Sequence, residues 1–306
     1  MITKLEFILA LAREKNFSRA AASCGVSQPT LSNGLRSLEE AFGTRLVQRS
    51  AKFQGFTPEG ERVLDWARRI VADAQSMRVD VDALKRGLGG HIRIAAIPTA
   101  LPIVARLTTP FRDKYPAVRF TILSRTSVEI LQLIEDLQVD AGLSYLENEP
   151  LGQVRTVPLY EERYNLLTAS DGVFAGRHSV TWAEVASLPL CLLTPDMQNR
   201  RIIDQMLRNA GSSAEPTLAS NSTIVLVSHV RTGRWSSVMP SLIADSLGLP
   251  ASVCSLPILE PDVNHTIGLV VAHREPTTPL VTALKAEARL LATEIGIAAA
   301  RDTSRR

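Results

Sequence analysis

The segment Ser27-Gln28-Pro29-Thr30-Leu31-Ser32-Asn33 concentrates hydroxyl and amide side chains over seven consecutive positions, with Arg36 one helical turn beyond. Glutamine and asparagine donate and accept at once, as a bidentate hydrogen bond to an adenine edge requires, and serine or threonine serves in either role. Arg49 and Lys52, farther along, are cations suited to phosphate oxygens. A second set is dispersed: Thr99, Ala100, Arg125, Thr126, Ser127, Ser144, Thr194 and Ser222. Hydroxyls joined by an arginine can hold a carboxylate or oxyanion. Each hydroxyl is equally an ordinary helix cap, and Arg125 an ordinary surface charge.

Catalytic arrangements are not found. There is no GxSxG elbow, no GxxxxGK[ST] loop and no HExxH, and His91, His178, His229, His265 and His273 lack ligand spacing. The acidic pairs Glu39-Glu40 and Glu161-Glu162 read as surface charges. The chain is expected not to be an enzyme and to need no metal or cofactor, only a small-molecule effector.

The elements that position the first set are short. Leu5, Ile8, Leu9 and Ala12 recur at helical spacing after Thr3, a candidate cap with Glu6 as its capping-box partner. Ser18 is a candidate cap for a second helix over Arg19–Cys24, whose alanines permit close packing, and Gly25 supplies a turn. Ser27 caps a third helix with Pro29 in its first turn and Leu31, Leu35, Leu38 and Phe42 as its buried stripe. Two helices around a tight glycine turn are either a helix-turn-helix, whose second helix offers its N-terminal residues to the major groove, or a helical hairpin with a wet polar face. Residues 46–56 (LVQRSAKFQGF) favour the first reading, because two short strands around a turn make a wing carrying Arg49 and Lys52. Residues 1–56 hold eight lysines and arginines against four glutamates, whereas the whole chain is only +3. The excess positive charge suits a polyanion, or a solvated face.

SRAAASCGVSQPTLSNGLRSLEEAFGTRLVQRS followed by FTPEGE resembles the N-terminal domain of LysR-type transcriptional regulators almost position for position. The resemblance implies a DNA-binding transcription regulator and extends, more weakly, to the C-terminal helix. Asn33-Gly34 and Ala51-Lys52-Phe53 depart from it, standing where relatives commonly have a long basic or amide side chain and a Gly-Arg-Gly-like wing tip. Gly34 is expected to cost the third helix about 1 kcal/mol relative to alanine.

From Pro58 to about Arg86 the residues Val63, Ala67, Ile70, Ala74, Met77, Val81 and Leu84 alternate four and three apart, the spacing of a coiled-coil seam. The seam can pair with a second copy or pack on the chain's own second domain; the resemblance implies a dimerising linker helix, with two dimers forming a tetramer. Gly87-Leu88-Gly89-Gly90 reads as a hinge. Beyond it, strands over His91–Ile97, Val118–Leu123 and Val139–Leu143 alternate with helices over Leu101–Lys114 and Val128–Leu137, which predicts a parallel α/β sheet. A second such group spans 164–264, and a strand over His265–Ala272 and a helix over Pro279–Ile295 return to the first. The expected class is therefore multi-domain α/β: a winged helix-turn-helix (1–57), a linker helix and hinge (58–90), and an effector domain (91–306). The resemblance implies that the last is periplasmic-binding-protein-like, with one lobe from 91–162 and 266–306 and the other from 163–265. The chain would cross between lobes near Glu161–Arg163 and Asn264–Thr266.

In open α/β sheets ligands sit beyond the carboxyl ends of strands. That rule selects Thr99 and Ala100, Arg125 to Ser127, Ser144, Thr194 and Ser222, and the resemblance places effector contacts at Thr99, Thr126 or Ser127, Thr194 and Ser222. Arg125 stands where many relatives have glycine, and Trp235 replaces a common glycine. A small anionic effector is expected from Arg125 and Thr99. Residues 97–116 also look like regulators near formate dehydrogenase operons. The expected partners are promoter double-stranded DNA, a second copy and RNA polymerase, but no membrane. No apolar run approaches the ~18 residues of a membrane span, so the chain is expected in the cytoplasm. Cys24, Cys191 and Cys254 are too isolated for a disulfide framework or a CxxC site and are expected to be reduced.

Overall fold

A computed structural model describes residues 1–49, 53–211, 215–246 and 248–296, which fall into two units, Met1–Gly87 and Leu88–Arg306. In the first unit α1 (Ile2–Glu14) buries Leu5, Phe7, Ile8 and Leu11. It starts a full residue before Thr3, so Met1 takes the cap position without a side-chain bond and the expected Thr3 cap is not formed. For α2 (Phe17–Ser23) the cap is Asn16, whose side chain accepts the Arg19 N–H at 3.0 Å, rather than Ser18. The extended backbone of Asn16 already sets the helix entry there. Gly25 turns the chain at φ 67°, a conformation that favours glycine. Ser27 then caps α3 (Gln28–Phe42), accepting from the Thr30 N–H at 3.3 Å.

The strands β1 (Val47–Arg49) and β2 (Phe53–Phe56) pair antiparallel, followed by α4 (Pro58–Arg86). The start of α4 joins the unit's own core: Leu64, Ala67 and Val71 are buried with Leu5, Leu11, Leu31, Leu35 and Leu46, and Val63 packs against them. The expected heptad seam therefore divides. Val63 and Ala67 are intramolecular, whereas Ile70, Met77 and Val81 are exposed by 41%, 61% and 45%, and so, outside the seam, is Trp66 by 59%. The seam's Leu84 side chain lies outside the described residues. Gly60 lets α4 approach β1, since a Cβ there would meet the Leu46 carbonyl oxygen at 2.0 Å.

The second unit begins with β3 (Gly90–Ala96), a 3-10 turn at Pro98–Ala100, α5 (Leu101–Lys114), β4 (Val118–Ser124), α6 (Ser127–Glu135) and β5 (Ala141–Tyr145). Next come β6 (Val154–Ala169), β7 (Val180–Thr181), α7 (Trp182–Val185), β8 (Cys191–Leu193), α8 (Gln198–Asn209), β9 (Leu218–Ser220) and α9 (Thr223–Val230). The chain ends through β10 (Ser237–Pro240), α10 (Ser241–Ser246), β11 (Val253–Leu259), β12 (Asn264–Ala272) and α11 (Pro279–Ile295). The strand β3 pairs parallel with β4 and β5, as βαβ crossovers require, but β12 is antiparallel to β5 and β6, so the sheet is mixed rather than parallel. One strand serves both lobes. The first part of β6, to Arg163, pairs with β12, and the rest, from Tyr164, pairs with β10 and β11. The chain leaves the first lobe on β6 and returns on β12, and two neighbouring strands running out and back are necessarily antiparallel.

Candidate functional site

The polar face of α3 stands opposite its apolar stripe. Leu31, Leu35 and Leu38 are buried, but Phe42, expected to extend the stripe, is 49% exposed at the helix end; Gln28, Pro29, Thr30, Asn33 and Arg36 are exposed and Ser32 is half-buried. Ser27 is committed to the cap, and its hydroxyl lies 2.8 Å from that of Thr30, so the two share a local bond. Gly34 has a packing reason that its helix propensity hides. A Cβ there would meet Phe7 ring carbons at 2.6 and 2.8 Å, so glycine admits the α1 ring against α3.

The wing is braced on this pair of helices. Phe53 meets Phe17 edge-on at 6.2 Å and Phe56 at 5.1 Å. Glu39, expected at the surface, is 8% exposed and accepts the Leu46 and Val47 N–H groups at 3.1 and 3.3 Å. It supplies the end of α3 with a side-chain acceptor for two backbone donors at the entry to β1. Arg49 closes β1, and Lys52 lies outside the described residues.

In the second unit the dispersed candidates separate into two kinds. Thr126 caps α6: its hydroxyl accepts the Glu129 N–H at 3.1 Å and the Glu129 carboxylate accepts the Thr126 N–H at 2.9 Å. Arg125 donates to the neighbouring Ser124 carbonyl at 2.7 Å. Ser222 stands at the start of α9 without a side-chain cap bond, and Ser144 and Ala100 are buried in the first lobe. Thr99, Ser127 and Thr194 are different. Ser127 donates to Glu149 at 3.2 Å, and the hydroxyls of Thr99 and Thr194 are buried without a hydrogen-bond partner.

Thr99 belongs to a polar cluster built around Glu162, a residue expected at the surface. Alternation along β6 puts Tyr160, Glu162 and Tyr164 on the buried face and leaves Glu161 and Arg163 exposed. Glu162 is 1% exposed, and the Tyr145 hydroxyl at the end of β5 donates to it. Asn199, near the start of α8 in the other lobe, donates to the Tyr145 oxygen at 3.2 Å. The His265 ring packs edge-on to Tyr145 at 6.2 Å and Tyr164 at 6.1 Å.

Burial pushes the Glu162 carboxyl up from 4.5 to about 7, against the opposing pull of Tyr145, Tyr164, Thr99 and Asn199. The Thr99 and Tyr164 hydroxyls act on this charge without reaching hydrogen-bond geometry to any atom. Burial, then the Glu162 charge, raises the Tyr160 phenol well above 10, and Tyr145 and Tyr164 are raised by the same two leading causes. All three stay protonated donors. Burial lowers His265, with Glu147 and Glu161 opposing.

The two lobes are clamped beside this cluster. From α8, Gln198 donates to the Glu147 carbonyl at 3.0 Å, and Arg201 binds Glu149 through Nε at 2.9 Å and Nη2 at 2.5 Å. Glu149 also receives Ser127, so a single carboxylate links the start of α6 to the start of α8. These contacts bring polar side chains of both lobes together at one place. Among the described residues no group of His, Cys, Asp and Glu has the geometry of a metal site.

Comparison with known proteins places both units. Residues 2–61 match the family described as bacterial regulatory helix-turn-helix protein, lysR family, and residues 85–291 match the LysR substrate binding domain. The "DNA-binding transcriptional dual regulator OxyR" of Escherichia coli (strain K12) is 27% identical over 280 residues, spanning 91% of this chain and 90% of that protein. A "Hydrogen peroxide-inducible genes activator" of Dickeya chrysanthemi is 26% identical over the same length and the same shares. A full-length OxyR variant from Pseudomonas aeruginosa superimposes with a TM-score of 0.75 at 26% identity, over 95% of this chain and 99% of that one.

Proposed function

The chain belongs to the LysR family of bacterial regulators, and from that premise we propose how it works: α3 and the wing read promoter DNA, and a small molecule held between the lobes sets the outcome. That it is a DNA-binding transcription regulator with an effector-binding domain follows from its two family matches. The observation that carries the rest is the exposed polar face of α3, with Gln28, Thr30, Asn33 and Arg36 opposite a fully buried leucine stripe. Gln28 and Asn33 are the adenine-reading pair, Ser32 a flanking contact, and Arg36, Arg49 and Lys52 the phosphate contacts. The exposed row Trp66, Ile70, Met77 and Val81 on α4 supports pairing with a second copy. Two recognition helices then meet two half-sites, two dimers assemble as a tetramer, and RNA polymerase recruitment is the output, in the cytoplasm where the promoter is.

The effector acts by reversible binding, with activation and repression as its two outcomes. Relatives are named for hydrogen peroxide; in this chain burial raises all three thiols, Cys191 to about 11, which disfavours their ionised form. Arg125, the basis for an anionic effector, is turned to its own backbone, and Thr99 faces a carboxylate instead. The stretch that looks like formate-linked regulators names no effector either, because Ile103, Val104, Leu107 and Phe111 within it are core.

A mobility-shift assay tests the DNA reading. The protein should prefer its own upstream region over a scrambled duplex, binding should fall steeply with salt, and Gln28→Ala with Asn33→Ala should erase the preference while leaving non-specific binding. Equal affinity for both duplexes would refute it.

A further inference from the structure

The interlobe cluster holds one formal charge, and it is negative. Glu162 Oε2, the hydroxyls of Thr99, Tyr160 and Tyr164, and His265 Nε2 are all buried and all without a hydrogen-bond partner. Thr99 and Glu162 are 1% exposed, Tyr164 3% and Tyr160 5%, so bulk solvent does not satisfy them. A buried carboxylate oxygen and several hydroxyls left open at one place are a costly arrangement unless something occupies it.

The charges around the cluster indicate the sign of that occupant. Glu147 and Glu161 flank His265 and share the Thr266 hydroxyl at 2.7 and 3.1 Å. The three arginines of β6 and α8 beside these residues are engaged elsewhere: Arg201 with Glu149, Arg200 with Asp204 and the Leu193 carbonyl, Arg163 with Asp262. Among the described residues no lysine or arginine pairs with Glu162. His265 Nδ1 lies 3.0 Å from the Asn148 amide nitrogen, so it accepts, and the neutral ring carries its proton on the open Nε2. An anion entering here would meet Glu162 with no cation to offset it. A ligand bearing N–H donors would find an acceptor charge and a ring of hydroxyls.

We propose that Glu162 is the specificity-determining residue of the effector site and that it selects a small cationic N–H donor, an alkylammonium group, instead of a carboxylate or oxyanion. This rests on the reading of the interlobe space as the effector site. The ammonium donates to Glu162 Oε2, and the Thr99 and Tyr164 hydroxyls complete its shell. Because a proton competes for the same carboxylate, binding strengthens as pH rises from 6 to 8, the range that brackets the Glu162 titration at about 7.

The test is thermal shift and calorimetry on the full chain with methylammonium chloride, potassium chloride and potassium acetate at equal ionic strength, at pH 6 and pH 8. Methylammonium should raise Tm above the potassium control at pH 8, more weakly at pH 6, and Glu162→Gln should lower its affinity by about tenfold or more. Should that variant fold poorly, Thr99→Val, which removes one hydroxyl from the shell, should weaken methylammonium several-fold. Acetate stabilisation that Thr99→Val abolishes would overturn the ligand class while keeping the interlobe site. Stabilisation by neither salt would mean that water fills the cluster, and both the class and the interlobe site fall. A methylammonium shift untouched by Glu162→Gln and Thr99→Val would be a general salt effect and would also overturn the proposal.

Discussion

Glu162→Gln should remove a steep pH dependence of stability. In the unfolded chain this carboxyl ionises near its usual 4.5, whereas burial holds it at about 7 in the folded protein. At 1.36 kcal/mol per unit the difference is worth about 3 kcal/mol. Below about pH 4.5 both states are protonated and the burial costs nothing. Between about 4.5 and 7 the folded state keeps a proton that the unfolded state has released, so stability falls with a slope approaching 1.4 kcal/mol per pH unit. Above about 7 the full contribution is lost.

Glutamine keeps the shape and one acceptor for the Tyr145 hydroxyl but has no charge to desolvate. The variant should match the wild type at pH 5 to within the ~1 kcal/mol of an altered hydrogen bond and exceed it by about 2–3 kcal/mol at pH 8. Urea unfolding at pH 5, 6, 7 and 8, followed by near-ultraviolet circular dichroism, measures both curves. His265, lowered in the fold, contributes in the opposite direction, gaining stability as pH rises toward its ordinary value, and it cancels to first order in the difference between the two proteins. Parallel wild-type and variant curves from pH 5 to 8 would show that the Glu162 carboxyl titrates alike in the folded and unfolded chain, and the argument would fail.

Gly34→Ala sets a helix-propensity gain of about 1 kcal/mol against a Cβ driven to 2.6 Å from the buried Phe7 ring, an overpacking cost of about 1–3 kcal/mol. Tm should fall, and a rise would refute the packing account. At Gly60→Ala the obstacle is a backbone oxygen at 2.0 Å, so the loss should be larger than at Gly34 by urea titration and should also weaken DNA binding by displacing the wing. Glu39→Ala leaves the Leu46 and Val47 N–H groups without that carboxylate and should cost about 2 kcal/mol, with Glu39→Gln recovering much of it. Met77→Ser with Val81→Ser should raise the dimer dissociation constant by sedimentation without lowering the stability of the first unit, whose core excludes both side chains.

Local signals carried much of the architecture. The Ser27 cap, the Gly25 turn and the leucine stripe of α3 are all short-range, so the helix-turn-helix was readable from spacing, as were α5 and α11 to the residue. Caps were less secure: Met1 and Asn16 displaced Thr3 and Ser18 because a helix starts where the backbone enters it, not at every residue able to cap. The heptad spacing of α4 was real but could not reveal which half would be used by the chain's own core, since that depends on α1 and β1 arriving from elsewhere in the sequence.

The candidate site shows the limit of such signals most directly. The chemistry-bearing residue types, and the alternation in Tyr160-Glu161-Glu162-Arg163-Tyr164 that separates a buried face from a wet one, are written in the sequence. Period two says that Glu162 shares a face with two tyrosines but not that this face is the inner one. Only the folded sheet, bringing Tyr145 from β5, His265 from β12 and Asn199 from α8 against that face, made Glu162 a buried carboxyl. Desolvation is a property of everything packed around a group, so the charge of the chain belongs to its sequence while the titration of Glu162 belongs to its tertiary structure.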